Sequence, residues 1–300
     1  MCTLPLLAGE NISSLKCASV VTTPTVILRL GAMTTEAPTP VHTTEVGDSG
    51  SRVVFLHGLF GQGRNFATIA KALQPEFRSL LVDLPNHGRS AWTEGFSYEL
   101  LADLVADRLR EGFAADGAVH VVGHSMGGKV AMVLALRHPE LVDRLVVVDI
   151  SPVGGGDRGE FEHLLDSLGA LDLSTLSRRS EADERLSGPI DDALVRGFLL
   201  QNLRSGEDGF HWQANLDLLR RELPAIGGFP DDLAGTFDRS VLWVAGERSP
   251  YVRPEHEAAM RRLFPRTTQV TVRGAGHWVH SEQPQVFVSA LRTFLGTSRR

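Results

Sequence analysis

Residues 119–132, VHVVGHSMGGKVAM, run from an unbroken apolar segment through a glycine-flanked serine into a helical pattern. Gly123-His124-Ser125-Met126-Gly127 thus has the form G-x-S-x-G in the setting that gives the motif meaning, with a strand before it and a helix after it. Such a turn forces Ser125 into a strained backbone conformation, and glycines two positions to either side let neighbouring backbone approach without Cβ clashes. The serine hydroxyl is pushed into the open at a helix N-terminus, where unpaired amides favour negative charge.

The rest of the chain agrees. From residue 52, short β-branched runs alternate with helical patterns: RVVFLHG, NFATIAKAL, SLLVDLP, YELLADLVADRLREGF, VHVVGHS, GGKVAMVLALRHP, RLVVVDIS. Alternating strand and helix predicts a mostly parallel central sheet flanked by helices. Continuous apolar strands such as Val119 to Val122 and Leu145 to Val148 fit strands buried on both faces. The rhythm stops near Ser151 and resumes near Arg239 with SVLWVAGE, EHEAAMRRLF, TQVTVRG and PQVFVSALRTFL. The reading is therefore an α/β core over residues 40–150 and 240–296, with residues 151–239 inserted as a helical, polar lid. Ligands of open α/β sheets bind beyond the carboxyl ends of strands, so an insertion leaving from such an end would roof the site.

Composition narrows the partners. Net charge is −6, and the arginine pairs at 178–179, 220–221 and 261–262 form no long basic stripe, so no nucleic-acid partner is expected. Apolar runs are strand-sized, far short of the roughly 18–20 residues of a membrane-spanning helix. Cys2 and Cys17 are the only cysteines, which leaves the core without a disulfide framework or thiolate metal site and suits a reducing cytoplasm. Residues 1–32, rich in Thr, Ser and Pro, read as a disordered leader or an over-extended start ahead of Met33, with a transit peptide as the alternative.

Three further positions bear on chemistry. The Met126 N–H, at the start of the helix, is placed to hold a developing oxyanion, and a second donor is expected in the loop of His57-Gly58-Leu59-Phe60, from Leu59 first and Phe60 next. Gly58 and Gly63 mimic phosphate-loop spacing, but Arg64-Asn65 stand where Lys-Ser/Thr would be needed. His57 reads as structural. His277, in VTVRGAGHWVH, follows the final strand in a glycine-rich loop and is the candidate base; His124 should point away from Ser125, and His280 reads as a surface or helix-start residue. No metal site or cofactor is expected from these histidines.

Taken together, HGLFGQGRNF, DLPNHGRS, GHSMGGKVAM, VVDISP and GAGHW resemble α/β-hydrolases from about residue 40 to residue 296, and in detail the subgroup of alpha/beta hydrolase domain-containing 11 proteins and small bacterial esterases. The resemblance implies hydrolysis of a small-molecule carboxylic ester or acyl thioester without a cofactor, and a structural role for Asp83. It also exposes a gap. Many members place their acid after the strand Val241 to Ala245, and there this sequence has Ser249, which cannot carry the charge that stabilises an imidazolium. Asp149, at the end of LVVVD, is the favoured acid, with Ser249 relaying or buttressing a hydrogen bond to His277. Glu247 and Asp217 are the alternatives, Asp217 having an equally good reading as a lid-anchoring carboxylate. The serine pattern also admits carbon–carbon hydrolase or cofactor-free haloperoxidase chemistry, or a non-catalytic small-ligand receptor on the same fold. Acyl and leaving-group preference and oligomeric state are not encoded in any motif.

Overall fold

A computed structural model of the chain describes residues 40–154 and 159–296. The leader reading of residues 1–32, and both cysteines, lie outside the described residues. Seven strands form one sheet: β1 (Thr43–Val46), β2 (Ser51–Leu56), β3 (Phe77–Val82), β4 (Val119–His124), β5 (Val142–Val148), β8 (Val241–Gly246) and β9 (Thr267–Val272). Their order is β1-β3-β2-β4-β5-β8-β9. All neighbours run parallel except β1, which pairs antiparallel with β3 at the edge.

Alternate residues of the central strands feed two different cores. Val54 and Leu56 of β2, Leu145 and Val147 of β5, and Val241 and Trp243 of β8 point to the face covered by α2 (Tyr98–Arg110), α3 (Met126–Arg137) and α9 (Glu257–Leu263). Val53 and Phe55, Val146 and Val148, and Leu242 and Val244 point to the face covered by α1 (Ala67–Ala72), α10 (Val279–Glu282) and α11 (Pro284–Leu295). A strand buried on both faces has no polar side, which is why these segments read as unbroken apolar runs. Each such side chain, removed from water, contributes roughly 1.5–3 kcal/mol.

Between β5 and β8 the chain leaves the sheet to form α4 (Gly159–Gly169), α5 (Arg179–Leu186), α6 (Ala193–Leu200), α7 (Leu216–Arg221) and α8 (Leu223–Gly227). It is not helical throughout. β6 (Leu203–Gly206) and β7 (Gly209–Trp212) pair antiparallel as a hairpin, from Leu203 opposite Trp212 to Gly206 opposite Gly209. The tight connection through Glu207 and Asp208 puts Gly209 at φ +101°, a conformation that side-chain-bearing residues resist.

The inserted segment is tied to the core through polar groups. The end of α6 supplies Gln201 and Asn202, whose amide nitrogens both donate to the Phe60 carbonyl, at 3.2 and 2.8 Å. Gln62 Nε2 donates back to Asn202 Oδ1 at 3.0 Å, and Asn65 Nδ2 to Gln201 Oε1 at 2.9 Å. Asn202 is fully buried, so its two bonds are shielded from competing water, while those of Gln201 are part-buried. Among the described residues no helix is long and apolar enough to cross a membrane.

Candidate active site

Ser125 stands between β4 and α3 at φ 52°, ψ −120°, and its N–H donates to the Val148 carbonyl at 3.0 Å. The glycines around it are demanded by space. A Cβ on Gly127 would lie 2.4 Å from the carbonyl oxygens of Leu56 and His57, and one on Gly123 would lie 2.2 Å from the Gly127 oxygen. α3 thus starts directly against the end of β2, and its first turn faces the loop that follows β2.

His277 arrives from the loop after β9. Ser125 Oγ lies 3.0 Å from its Nε2, and its Nδ1 lies 2.8 Å from Asp149 Oδ2. Asp149 directly follows β5 with φ 52° and is fully buried. Its N–H donates to Val244 O at 2.9 Å, which turns the side chain toward the neighbouring loop. There Oδ1 accepts the Gly246 N–H at 2.8 Å, and Oδ2 accepts the hydroxyl of Ser249 as well as the imidazole. Ser249 therefore bonds to the carboxylate, not to the ring. The Tyr251 ring lies 4.4 Å from the His277 ring, centroid to centroid, and its carbonyl is held by Ser151 Oγ at 2.8 Å.

The other carboxylates are elsewhere. Glu247 is exposed and accepts the Gly274 N–H at 2.8 Å, which ties the loop after β8 to the histidine loop. Asp217 is exposed on α7. Asp83 accepts the N–H groups of Gly63 and Arg89, at 2.7 and 2.9 Å, as a turn residue would.

In the loop after β2, the Phe60 N–H is already engaged by His87 Nε2 at 3.3 Å. The Leu59 and Met126 N–H groups make no hydrogen bond among the described residues, and both residues line a cavity with Ser125. His57 is buried; it accepts the Leu84 N–H at Nε2 (2.9 Å), donates to Gly58 O (2.8 Å), and burial pulls its pKa down to about 4. It is a neutral structural residue. Burial likewise takes His87 down to about 3.

Two histidines differ from the sequence reading or extend it. His280 begins a helical turn but is not on the surface: its ring stacks on Phe66 at 4.6 Å, its Nδ1 has no partner, and burial lowers its pKa to about 4. The core-facing side of the short α10 takes it inward, which a polar residue near a loop does not reveal. His124 turns across to the histidine loop and donates from Nε2 to the His277 carbonyl at 2.8 Å. Burial, then the neighbouring His277 and His280, hold it well below the usual histidine range. The sequence reading also passed over Lys129, one turn into α3. It is buried, and its Nζ donates to the carbonyls of Ile226, Gly227 and Gly228 at the end of α8, at 3.2, 3.0 and 2.6 Å. The only signal for it was a lysine on an otherwise apolar helix.

Two cavities meet at Ser125. One, of about 30 Å³, is lined by His277, Trp278, Phe198 and Val195 among others; the second, of about 190 Å³, by Leu59, Met126, Lys129, Ser151 and Tyr251 among others. Phe161, from α4 of the inserted segment, borders both.

Residues 51–284 match the family model described as alpha/beta hydrolase fold. The mouse (Mus musculus) protein named sn-1-specific diacylglycerol lipase ABHD11 is 41% identical over 251 residues, covering 81% of this chain and 80% of that protein. Esterase YbfF of Escherichia coli is 31% identical over 245 residues, covering 82% of this chain and 93% of the enzyme. Among solved structures, a marine microorganism esterase superposes with a TM-score of 0.82 at 31% identity, covering 85% of this chain and 99% of its own.

Proposed function

The chain belongs to the alpha/beta hydrolase fold family and is a hydrolase, and we propose that it cleaves carboxylic esters or acyl thioesters through a serine-bound acyl intermediate. The observation that carries this reading is one imidazole in contact with both Ser125 Oγ, at 3.0 Å, and Asp149 Oδ2, at 2.8 Å. The names of the relatives, lipase and esterase, point the same way.

In this reading Ser125 Oγ attacks the acyl carbon while His277 Nε2 takes its proton. The carbonyl oxygen becomes an oxyanion held by the Leu59 and Met126 N–H groups, which are unengaged beforehand and so need not be freed. His277 returns the proton to the leaving oxygen or sulfur, the bond to carbon breaks, and the acyl group remains on Ser125. Water, deprotonated by His277, then releases the acid. Asp149 accepts from Nδ1, which fixes the tautomer with Nε2 free to accept and stabilises the imidazolium. Ser249 and the Gly246 amide hold the carboxylate in that orientation.

Residues 151–239 act as the lid in this scheme. Phe161, Val195 and Phe198 supply apolar wall above Ser125 and limit water access. The cytoplasm is the proposed compartment. Time courses with short-chain nitrophenyl esters and acyl-CoA thioesters test the proposal. Turnover is expected to fall by at least about 10⁴ in Ser125→Ala; no turnover in well-folded protein, or turnover unchanged by that substitution, would refute it.

A further inference from the structure

We propose that the larger cavity is the acyl pocket and that it selects acyl groups ending in an anionic group such as a carboxylate. This rests on the ester-hydrolase reading above and deepens it.

Direction comes first. The imidazole that protonates the leaving atom must lie on the leaving group's side of the tetrahedral intermediate. The smaller cavity contains His277 and Trp278. Leu59 and Ser125 line both, but only the larger one is lined by Met126 and it lacks His277, so the acyl chain runs that way. Size follows. A cavity of about 150 Å³ accommodates a benzene ring; the 190 Å³ here suits a tail of about six to eight non-hydrogen atoms.

Charge sets the chemistry. The described residues that line this cavity include Lys129, Arg253 and His256 and no Asp or Glu, in a chain whose net charge is −6. Lys129 is 3% exposed and has no ion-pair partner among the described residues; its ammonium is met by the three carbonyls at the end of α8 and lies 5.6 Å from the centroid of the Tyr98 ring, none of which carries a formal charge. Dipoles satisfy its hydrogen-bonding capacity without cancelling its charge, and a buried cation so placed favours an anion arriving in the same cavity. Burial draws its pKa down to about 8, which leaves it charged at neutral pH. Because all three protons are held, Lys129 acts through its field. Direct contact falls to Arg253, whose half-exposed guanidinium donates to Pro250 O at 2.8 Å and forms a loose ion pair with the exposed Glu255 at 3.6 Å. His256 is occupied with Ser151 Oγ at 2.7 Å.

The test compares 4-nitrophenyl monoadipate with 4-nitrophenyl heptanoate, tails of similar length that differ in terminal charge, with spontaneous hydrolysis subtracted. The wild-type protein is expected to favour the monoadipate in kcat/KM on the order of tenfold, with the advantage shrinking at high salt. Arg253→Gln and Lys129→Gln should each drive that ratio toward one. If Lys129→Gln loosens α8 and misfolds, Arg253→Gln, at the half-exposed rim, still decides. Ser125-dependent hydrolysis of heptanoate with equal or poorer use of monoadipate overturns the charge selection while the esterase reading stands. Failure to hydrolyse either ester in folded protein overturns both.

Discussion

Replacing Asp149 by Asn is a sharp perturbation because the side chain's bonding leaves little choice of orientation. Oδ1 accepts the Gly246 N–H at 2.8 Å, so the amide oxygen of Asn must stay there. The NH₂ group then occupies the Oδ2 position, facing His277 Nδ1 and the Ser249 hydroxyl, both of which donate to the carboxylate. Ser249 can rotate and accept. The imidazole can avoid two opposed donors only by moving its proton to Nε2, where it faces Ser125 Oγ and can no longer take a proton from it. A wrong tautomer of this kind lowers kcat by about 10⁴, or roughly 5.4 kcal/mol of transition-state stabilisation at 1.36 kcal/mol per tenfold. Ser249→Ala removes one donor and leaves the Gly246 amide and the imidazole in place. A charge-assisted bond is worth about 1.5–3 kcal/mol, which bounds the loss at roughly 10- to 150-fold. Both variants would be assayed on a nitrophenyl ester, with circular dichroism melts to confirm folding. If Ser249→Ala costs more than Asp149→Asn, or Asp149→Asn retains above a tenth of wild-type kcat, the tautomer argument is wrong.

Three further outcomes are expected. Gly127→Ala puts a Cβ 2.4 Å from two strand-end carbonyls, and should lose about 1–3 kcal/mol in urea denaturation together with most activity; an unchanged midpoint would show that the contact can relax. His280 has a folded pKa of about 4 against 6.5 unfolded, so between those values the unfolded chain binds a proton the folded one does not. Its contribution is present above pH 6.5 and is lost as pH falls toward 4, by about 3 kcal/mol. His280→Phe should therefore flatten stability against pH in that window by about one proton, with His57, His87 and His124, all lowered by burial, keeping the remaining slope; an identical slope in both proteins would count against burial of the neutral ring. Asn202→Leu leaves the Gln62 amide without its closest acceptor and weakens the hold on Phe60 O, and should cost about 1–3 kcal/mol in urea; a neutral effect would mean water replaces the side chain.

The sheet is legible in the sequence because strand segments such as Val53–Leu56 and Leu145–Val148 bury both faces and so lose polar alternation altogether. The serine turn is legible because steric demands restrict positions 123 and 127 to glycine. What local pattern does not carry is distance between segments. Asp149 and His277 are 128 residues apart, and only the β5–β8 pairing brings the loop bearing Ser249 over the same carboxylate. The hairpin at 203–212 is too short for a period-two signal and sits among helices, and Lys129 is buried by a contact with α8 nearly a hundred residues downstream.

The amides of Gln201 and Asn202 on the Phe60 carbonyl have a consequence for anyone who would exchange parts among related enzymes. Transplanting residues 151–239 from a relative to alter substrate range would also replace the clamp on the loop that carries Leu59. A donor segment lacking those two amides, or a recipient lacking Gln62 and Asn65, would yield a chimera with a new roof over a displaced floor. The transferable cassette is the insertion together with residues 58–65, cut within the buried strands on either side and not at the visible joints.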